Sequence, residues 1–223
     1  MVRIATPDDR MLLESLVNHP EVLPHVADDR SPSFDVTPYL GEPHVALIVE
    51  GGCFFGVWHG SGRVECHTCF LPEARGRIAL TEGRKAIDFM FKQTNCFELV
   101  TRVPAINKAA EWYAKKMGFR LRFERPACWL KNGTAHPIRT YALDIDDWIM
   151  QGHCVVETTA DPVLDCYAGA AGVLIHYGQI EKATFFYNRW ALLTGYPTIE
   201  SVTPEPVQPT EPPRVHRSGA TVH

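Results

Sequence analysis

The sequence has no long hydrophobic run, no apolar leader and no excess of basic residues. No window approaches the roughly 18 uninterrupted apolar residues that indicate a membrane-spanning helix. The opening stretch MVRIATPDDR has no apolar core, so we expect no signal peptide. There are 22 basic against 26 acidic residues, a net charge of −4, and the basic ones are scattered, which argues against an extended nucleic-acid groove. What remains is the composition of an ordinary soluble globular protein.

The cysteines favour neither a disulfide framework nor a metal centre. There are seven, an odd number, and their spacing is irregular. With no secretion signal, we expect reduced thiols and a cytoplasmic protein. Cys66 and Cys69 form a C-x-x-C motif around His67, but residues three apart on a strand point to opposite faces. We therefore expect buried thiols and no metal, with metal binding as the minor alternative.

Three short apolar runs separated by glycine turns predict an antiparallel meander. They cover residues 44–49 (HVALIV), 53–58 (CFFGVW) and 64–70 (VECHTCF). Gly51-Gly52 separates the first two runs, and a Gly-Ser-Gly turn precedes the third. The tight turns make each strand the neighbour of the next.

The hydrophobic period changes from 2 to 3.6 after Pro72, which predicts a helix. A strand at 97–103, a helix from Asn107 to Gly118 and a strand interrupted at Pro126 follow, and Asn132-Gly133 then predicts a final hairpin. The strand–helix–strand passage is a right-handed crossover by default, so its two strands should be parallel neighbours. The chain is therefore predicted to be α+β, with a mostly antiparallel sheet, one parallel pair and flanking helices.

The C-terminal part differs in character from the rest. Residues 162–177 and 179–195 predict two helices, the first rich in glycine and alanine and the second in aromatic residues. Beyond them the chain is rich in proline, which favours an extended tail. We expect three units: 1–148 as the main domain, 149–196 as a helical hairpin and 197–223 as the tail. The hairpin needs an apolar surface to cover, so 160–195 and the tail could bind a protein partner or a second copy.

The stretch 63–91 contains the strongest chemical signal. It combines a strand bearing a carboxylate and an imidazole, a glycine-containing turn and an amphipathic helix. A turn that presents backbone N–H groups at a helix N-terminus binds anions, and phosphate is the usual one.

Two local motifs resemble the GNAT superfamily of acetyl-CoA-dependent N-acyltransferases over roughly residues 1–148. One is the strand followed by 71–76 (LPEARG) and a helix, which is similar to the family's pyrophosphate loop. The other is 103–110 (VPAINKAA) followed by Gly118-Phe119, which is similar to the family's next strand-to-helix passage. The residues of both motifs are most similar to those of GNAT-like proteins encoded by bacteriophages.

The resemblance implies that acetyl-CoA binds as a co-substrate where two strands, here 64–70 and 97–103, separate. It places Phe70, Leu71 and Asn107 near the cofactor. It also implies that the loop binds the pyrophosphate through backbone N–H groups, those of Arg75, Gly76, Arg77, Ile78, Ala79 and Leu80.

Three positions depart from the family pattern. Ile78 and Leu80 stand where the loop usually has small residues. Ala114 stands where many members have a tyrosine that protonates the leaving thiolate. Tyr113 is adjacent and is the candidate for that role, although one step along a helix rotates a side chain by about 100°. Packing of Tyr113 against the sheet is the alternative.

Glu65 and His67 are the candidate groups that accept a proton from the amine. Alternation along the strand puts both on one face, and a carboxylate or an imidazole can titrate near neutral pH. The alternative is a solvent-facing strand with a hydrogen bond between the two side chains.

Two functions from different classes therefore remain open. The first is an N-acyltransferase that transfers an acetyl group from acetyl-CoA to a primary amine by direct attack, in a host cytoplasm. The second is a non-catalytic GNAT-fold protein with a structural or assembly role, for example in a phage virion. Fold alone does not decide between them.

Overall fold

The computed structural model describes residues 2–153 and 161–199, which form a mixed seven-stranded sheet with helices on both faces. The strands are β1 (Arg3–Ile4), β2 (Val45–Val49), β3 (Gly52–Trp58), β4 (Arg63–Phe70), β5 (Glu98–Pro104), β6 (Arg120–Lys131) and β7 (Thr134–Asp144). The helices are α1 (Arg10–Val17), α2 (Leu23–Val26), α3 (Arg77–Gln93), α4 (Lys108–Lys116), α5 (Ile145–Trp148), α6 (Pro162–His176) and α7 (Ile180–Thr194). A short π-helix (Ile149–His153) follows α5.

The sheet has the strand order β1-β2-β3-β4-β5-β7-β6. Neighbouring strands are antiparallel except β4 and β5, which are parallel and connected through α3. The predicted α+β class, the single parallel pair and the two C-terminal helices are confirmed. The parallel pair lies near the middle of the sheet, and its two strands are the ones at which the sequence predicts the site.

The edge strand β6 is longer and less interrupted than its sequence indicates. The predicted interruption at Pro126 is present as an irregularity within one strand: the register with β7 shifts between Arg125 and Trp129, where Ala127 has φ 49°, and a second shift lies between Leu121 and Phe123. Proline is tolerated on an edge strand, where its missing N–H can face solvent. The Asn132-Gly133 hairpin is confirmed, and both residues have positive φ, 51° and 70°.

Each face of the sheet has its own hydrophobic core. On one face, α3 and α4 pack against the strands, with Phe91, Leu99 and Tyr141 at the centre. On the other face, α1 and the segment that follows it cover β2, β3 and β4, with Leu13 and Phe55 at the centre. The site therefore lies between two differently covered faces.

The C-terminal hairpin shares the first of these cores. Its buried residues, which include Ala170 and Leu174 of α6 and Phe186 of α7, belong to the same cluster as the residues of α3 and β5. The small residues of α6 allow this close packing. The surface that the hairpin covers is thus that of its own chain.

Lys182 of α7 connects the hairpin to the end of α3. Its side chain is 2% exposed. Its ammonium donates hydrogen bonds to the carbonyls of Phe91 (3.0 Å), Thr94 (2.6 Å) and Cys96 (2.5 Å). Carbonyls at a helix C-terminus have no partner within the helix, and a cation there also matches the helix dipole. Burial lowers the pKa of Lys182 to about 8, so the amine is still mostly protonated at neutral pH.

Two further predictions concern the proline-rich tail and membrane-spanning helices. From residue 200 onward the predicted tail lies outside the described residues. Within 2–153 and 161–199, no helix has the length and apolar character needed to cross a membrane.

We expect Lys182→Met to destabilise the protein by about 3 kcal/mol, since two buried carbonyls and one partly buried carbonyl lose a charged donor. The measurement is urea unfolding at pH 7. Lys108→Met, at an exposed position of α4, is the matched control and should change stability by less than about 0.5 kcal/mol. Equal effects of the two substitutions would contradict a structural role for Lys182.

Candidate functional site

The parallel strands β4 and β5 pair at only three positions, and the last of these is Glu65 opposite Val100. Beyond it, β4 continues to Phe70 and β5 to Pro104. Each strand stays paired on its other side, β4 with β3 and β5 with β7. In the described chain the sheet thus contains a gap, and the facing strand edges carry backbone groups that the sheet does not pair.

A cavity of about 60 Å³ adjoins this gap on the face covered by α3 and α4. It has room for about four water-sized groups. Thr68 of β4 and Thr101 of β5 line it from the two sides of the gap, and its other walls are mostly apolar. The rest of its lining includes Cys66, Val103, Tyr113, Ala114 and Met117.

Glu65 lies where the gap begins, with its side chain on the opposite face from the cavity. That side chain is only 8% exposed, and three groups surround it. A terminal nitrogen of Arg102 lies 2.6 Å from Oε2, and Nε2 of His59 lies 3.2 Å from the same oxygen. Nε2 of His67 lies 3.3 Å from Oε1. The carboxylate is thus held from several sides.

His67 lies two residues further along β4, beside the open part of the gap. Its side chain is 42% exposed, much more than that of Glu65. Burial of part of the ring lowers the pKa of His67, the Glu65 carboxylate opposes this shift, and Arg102 and His59 add to it. The imidazole is therefore neutral at pH 7 and can accept a proton. The two predicted proton acceptors lie together.

The predicted phosphate loop ends at Gly76, which has φ 80° and ψ −122°. Side-chain-bearing residues rarely adopt this conformation, so glycine is required here. α3 begins at the next residue, and its first helical hydrogen bond runs from Leu80 N–H to the Gly76 carbonyl at 3.0 Å. The N–H groups before it have no partner within the helix, which makes this end of α3 a possible anion site.

The side chains of the loop point in several directions. The guanidinium of Arg75 donates to the backbone carbonyl of Glu21 at 2.5 Å, which connects the loop to the N-terminal segment. Arg77 is exposed. Ile78 and Leu80, the two departures from the family pattern, pack against the main core. These two side chains are thus half-buried and directed at least partly towards the core.

Tyr113 joins the cavity to the first turn of α3. Its ring lines the cavity, and its hydroxyl donates to the Ala79 carbonyl at 3.2 Å. A Cβ at Gly83 would lie 2.0 Å from this hydroxyl, so glycine is needed for the close contact between α3 and α4. Burial raises the pKa of Tyr113, which keeps the phenol protonated.

The three remaining predicted cofactor residues make structural contacts. The side chain of Asn107 accepts a hydrogen bond from Ala110 N–H at 3.0 Å and so caps α4. Phe70 packs edge-on against Phe54 in the main core. Leu71 packs in the second core. A role of these residues in cofactor binding stays a prediction.

The C-x-x-C motif behaves as alternation along the strand predicts. Cys66 lies in the core on one face, and Cys69 lies in the core on the other, opposite Cys53 of β3. Burial raises the pKa of Cys66 to about 12, so its thiol is not reactive at neutral pH. In the described ranges, no three His, Cys, Asp or Glu side chains are grouped as metal ligands would be.

Arg102 and His59 complete the polar cluster without any local sequence signal of their own. Arg102 is two residues after Val100, so parallel pairing with β4 puts it on the face of Glu65 once the register is known. His59 lies in the turn after β3, and only the folded turn brings it to Glu65.

The cluster predicts the direction in which two substitutions change the pKa of His67. Arg102→Gln removes a nearby positive charge and should raise it, whereas Glu65→Gln removes a negative charge and should lower it further. NMR titration of the imidazole protons measures both, with the His67 signal identified by its loss in His67→Gln. Shifts in the same direction for both variants would contradict the described contacts.

Comparisons with known proteins give matches only among solved structures. No protein-family model matches the sequence, and no curated protein matches it. Spermidine N-acetyltransferase from Vibrio cholerae, in complex with CoA and spermine, superposes with a TM-score of 0.58 at 15% identity, over 67% of this chain and 97% of that one. The same enzyme (SpeG) in complex with manganese ions gives a TM-score of 0.56 at 15% identity, over 69% and 96% of the two chains. At this identity the likeness establishes the fold alone: the 67–69% of the chain that superposes has the GNAT fold of these N-acetyltransferases.

Proposed function

We propose that the protein transfers an acetyl group from acetyl-CoA to a primary amine. The observation that carries this proposal is the gap between β4 and β5, which begins beside Glu65 and has a cavity on one face and a half-exposed imidazole on the other. Two reactants that enter from opposite faces can meet in such a gap. The structural neighbours are N-acetyltransferases of the same fold, and one was crystallised with CoA.

Acetyl-CoA would bind along the gap and the start of α3. The free N–H groups after Gly76 would bind the pyrophosphate, with the exposed Arg77 adding positive charge. The pantetheine arm would lie along the unpaired edge of β4, and the cavity is large enough for the acetyl group. Backbone N–H groups of β4 would stabilise the oxyanion that develops on the thioester carbonyl.

His67 is better placed than Glu65 to accept the proton of the attacking amine. Both oxygens of Glu65 already face partners and its side chain is almost inaccessible, whereas His67 is half-exposed and neutral. Glu65 would then position the imidazole. The amine nitrogen forms the amide bond as the carbon–sulfur bond breaks, and the thiolate of CoA takes up a proton. Tyr113 is the candidate donor of that proton because of its position beside the cavity, although burial makes its phenol a weaker acid than usual by raising its pKa.

The alternative is a GNAT-fold protein that assembles with others and catalyses nothing. Exposed apolar side chains near the end of α7 favour it: Leu192 is 74% exposed and Leu193 and Tyr196 are also exposed. This alternative would fit a protein partner that binds the 160–195 hairpin and the tail, and it would fit a phage origin. It would also fit a division of the chain into units at 1–148, 149–196 and 197–223. A cytoplasmic location would fit the enzyme. Binding of acetyl-CoA separates the two functions.

Acetyl-CoA at about 100 times its Kd should stabilise the protein by about 2.7 kcal/mol. Gly76→Ala should weaken binding by about tenfold or more (~1.4 kcal/mol), since the N–H groups of the first turn move. Gly133→Ala is the matched control, because that glycine also has positive φ and open space around it but lies in the β6–β7 hairpin. Calorimetric titration measures the affinity. If acetyl-CoA neither binds nor stabilises the wild-type protein, the enzyme proposal fails.

His67→Gln should lower kcat by about 10²–10⁴-fold, the usual contribution of a general base. In the wild-type protein the acid limb of kcat/KM should lie below the pH at which an ordinary histidine titrates, because burial lowers the pKa of the imidazole. The variant should lack this acid limb. The exposed His25→Gln is the control and should keep the wild-type profile. Full activity of His67→Gln with an unchanged pH profile would show that another group takes the proton.

A further inference from the structure

The side of the gap that His67 faces is rich in positive and neutral groups. Glu65 contributes one carboxylate, and Arg102 cancels its charge at 2.6 Å. His59 and His67 add two imidazoles that become positive when protonated. The cluster as a whole is therefore neutral or positive and is not an acidic site.

Arg102 has donors to spare in this position. A guanidinium has five N–H groups, and one terminal nitrogen faces Glu65. The side chain is 52% exposed. It lies two residues beyond Val100, where pairing between β4 and β5 has ended, so it stands beside the open part of the gap. The remaining N–H groups can bind a second acceptor.

Carboxylates on the neighbouring strands are already paired with arginines. On the face of His67 the pairs are Arg63–Glu98 at 2.5 Å and Arg122–Asp144 at 3.1 Å. A polycation needs several available carboxylates to replace its hydration. The strand carboxylates named above already have arginine partners, so they are not available to bind a polycation.

We propose that the acceptor amine belongs to a molecule that also carries a carboxylate or a phosphate, and that Arg102 binds this anionic group. Arginine binds both groups bidentately through charge-assisted hydrogen bonds. With its anion on Arg102, the acceptor would direct its amine towards His67. This inference rests on the proposed acetyl transfer, and it makes Arg102 a specificity-determining residue. A polyamine would instead place like charges beside Arg102.

A series of four small amines tests the acceptor class. The amines are propylamine, β-alanine, O-phosphoethanolamine and spermidine, each assayed for kcat/KM with saturating acetyl-CoA. We expect β-alanine or O-phosphoethanolamine to exceed propylamine by about 10–100-fold, the contribution of one or two charge-assisted hydrogen bonds. The ratio between these two distinguishes carboxylate from phosphate. A preference for spermidine, or equal values for all four, would overturn the proposal.

Two arginine variants test whether Arg102 is the residue that causes the preference for anionic amines. Arg102→Gln should abolish the advantage of the anionic amines. Arg63→Gln is the matched control. Arg63 lies on the same face of the sheet as Arg102 and also pairs with a glutamate, but it is at the closed end of the gap. It should retain the wild-type preference. If the preference survives Arg102→Gln, Arg102 does not bind the anion.

Anion binding can also be measured without catalysis. Inorganic phosphate or acetate bound at Arg102 should raise the pKa of His67 in an NMR titration at constant ionic strength, and this rise should disappear in Arg102→Gln. Absence of a saturable effect of either anion would overturn the inference. If the anions act on His67 as expected but acetyl-CoA does not bind, the anion site stands and the proposed acetyl transfer fails.

Discussion

The short register between β4 and β5 is the constraint on which the site depends. Three paired positions hold the two halves of the sheet together, and each strand keeps its outer partner for its full length. The sheet can therefore open on one side of Glu65 without losing its other ladders. One further pair would bring Cys66 and Thr101 into register and close the cavity that both residues line. In the proposed reaction, the opening would allow groups on opposite faces of the sheet to act on one bond.

Local pattern and turn chemistry were enough to predict most of the fold. Glycine turns predict the β2–β3–β4 meander, the change of hydrophobic period predicts α3, and the handedness of crossovers predicts that β4 and β5 are parallel. The irregularity at Pro126 was also predictable, but the continuation of β6 beyond it was not. Proline interrupts a central strand, but the sequence does not say that β6 lies at an edge, where a missing N–H is tolerated.

The site was predictable only as far as a single strand determines it. Alternation along β4 puts Glu65 and His67 on one face, and the resemblance to the GNAT family points to the loop that ends at Gly76. Their partners depend on long-range register and turns: Arg102 reaches Glu65 through the pairing with β5, and His59 through the turn after β3. The directions of the Ile78 and Leu80 side chains were also not predictable from the sequence. They depend on the residue at which α3 begins, which decides whether a bulky side chain faces the proposed ligand or the core.

Both ends of α3 contribute to how the proposed site is held. At its N-terminus, Gly76 exposes N–H groups that suit an anion. At its C-terminus, Lys182 of the added hairpin binds three carbonyls at or just beyond the last turn. The cation at one end matches the helix dipole, and an anion at the other end would match it too, so both would stabilise the same helix. The hairpin thus supports the helix that would bind the cofactor, although it lies outside the gap. A loss of Lys182 would then weaken anion binding at the far end of α3 only through the stability and position of this helix.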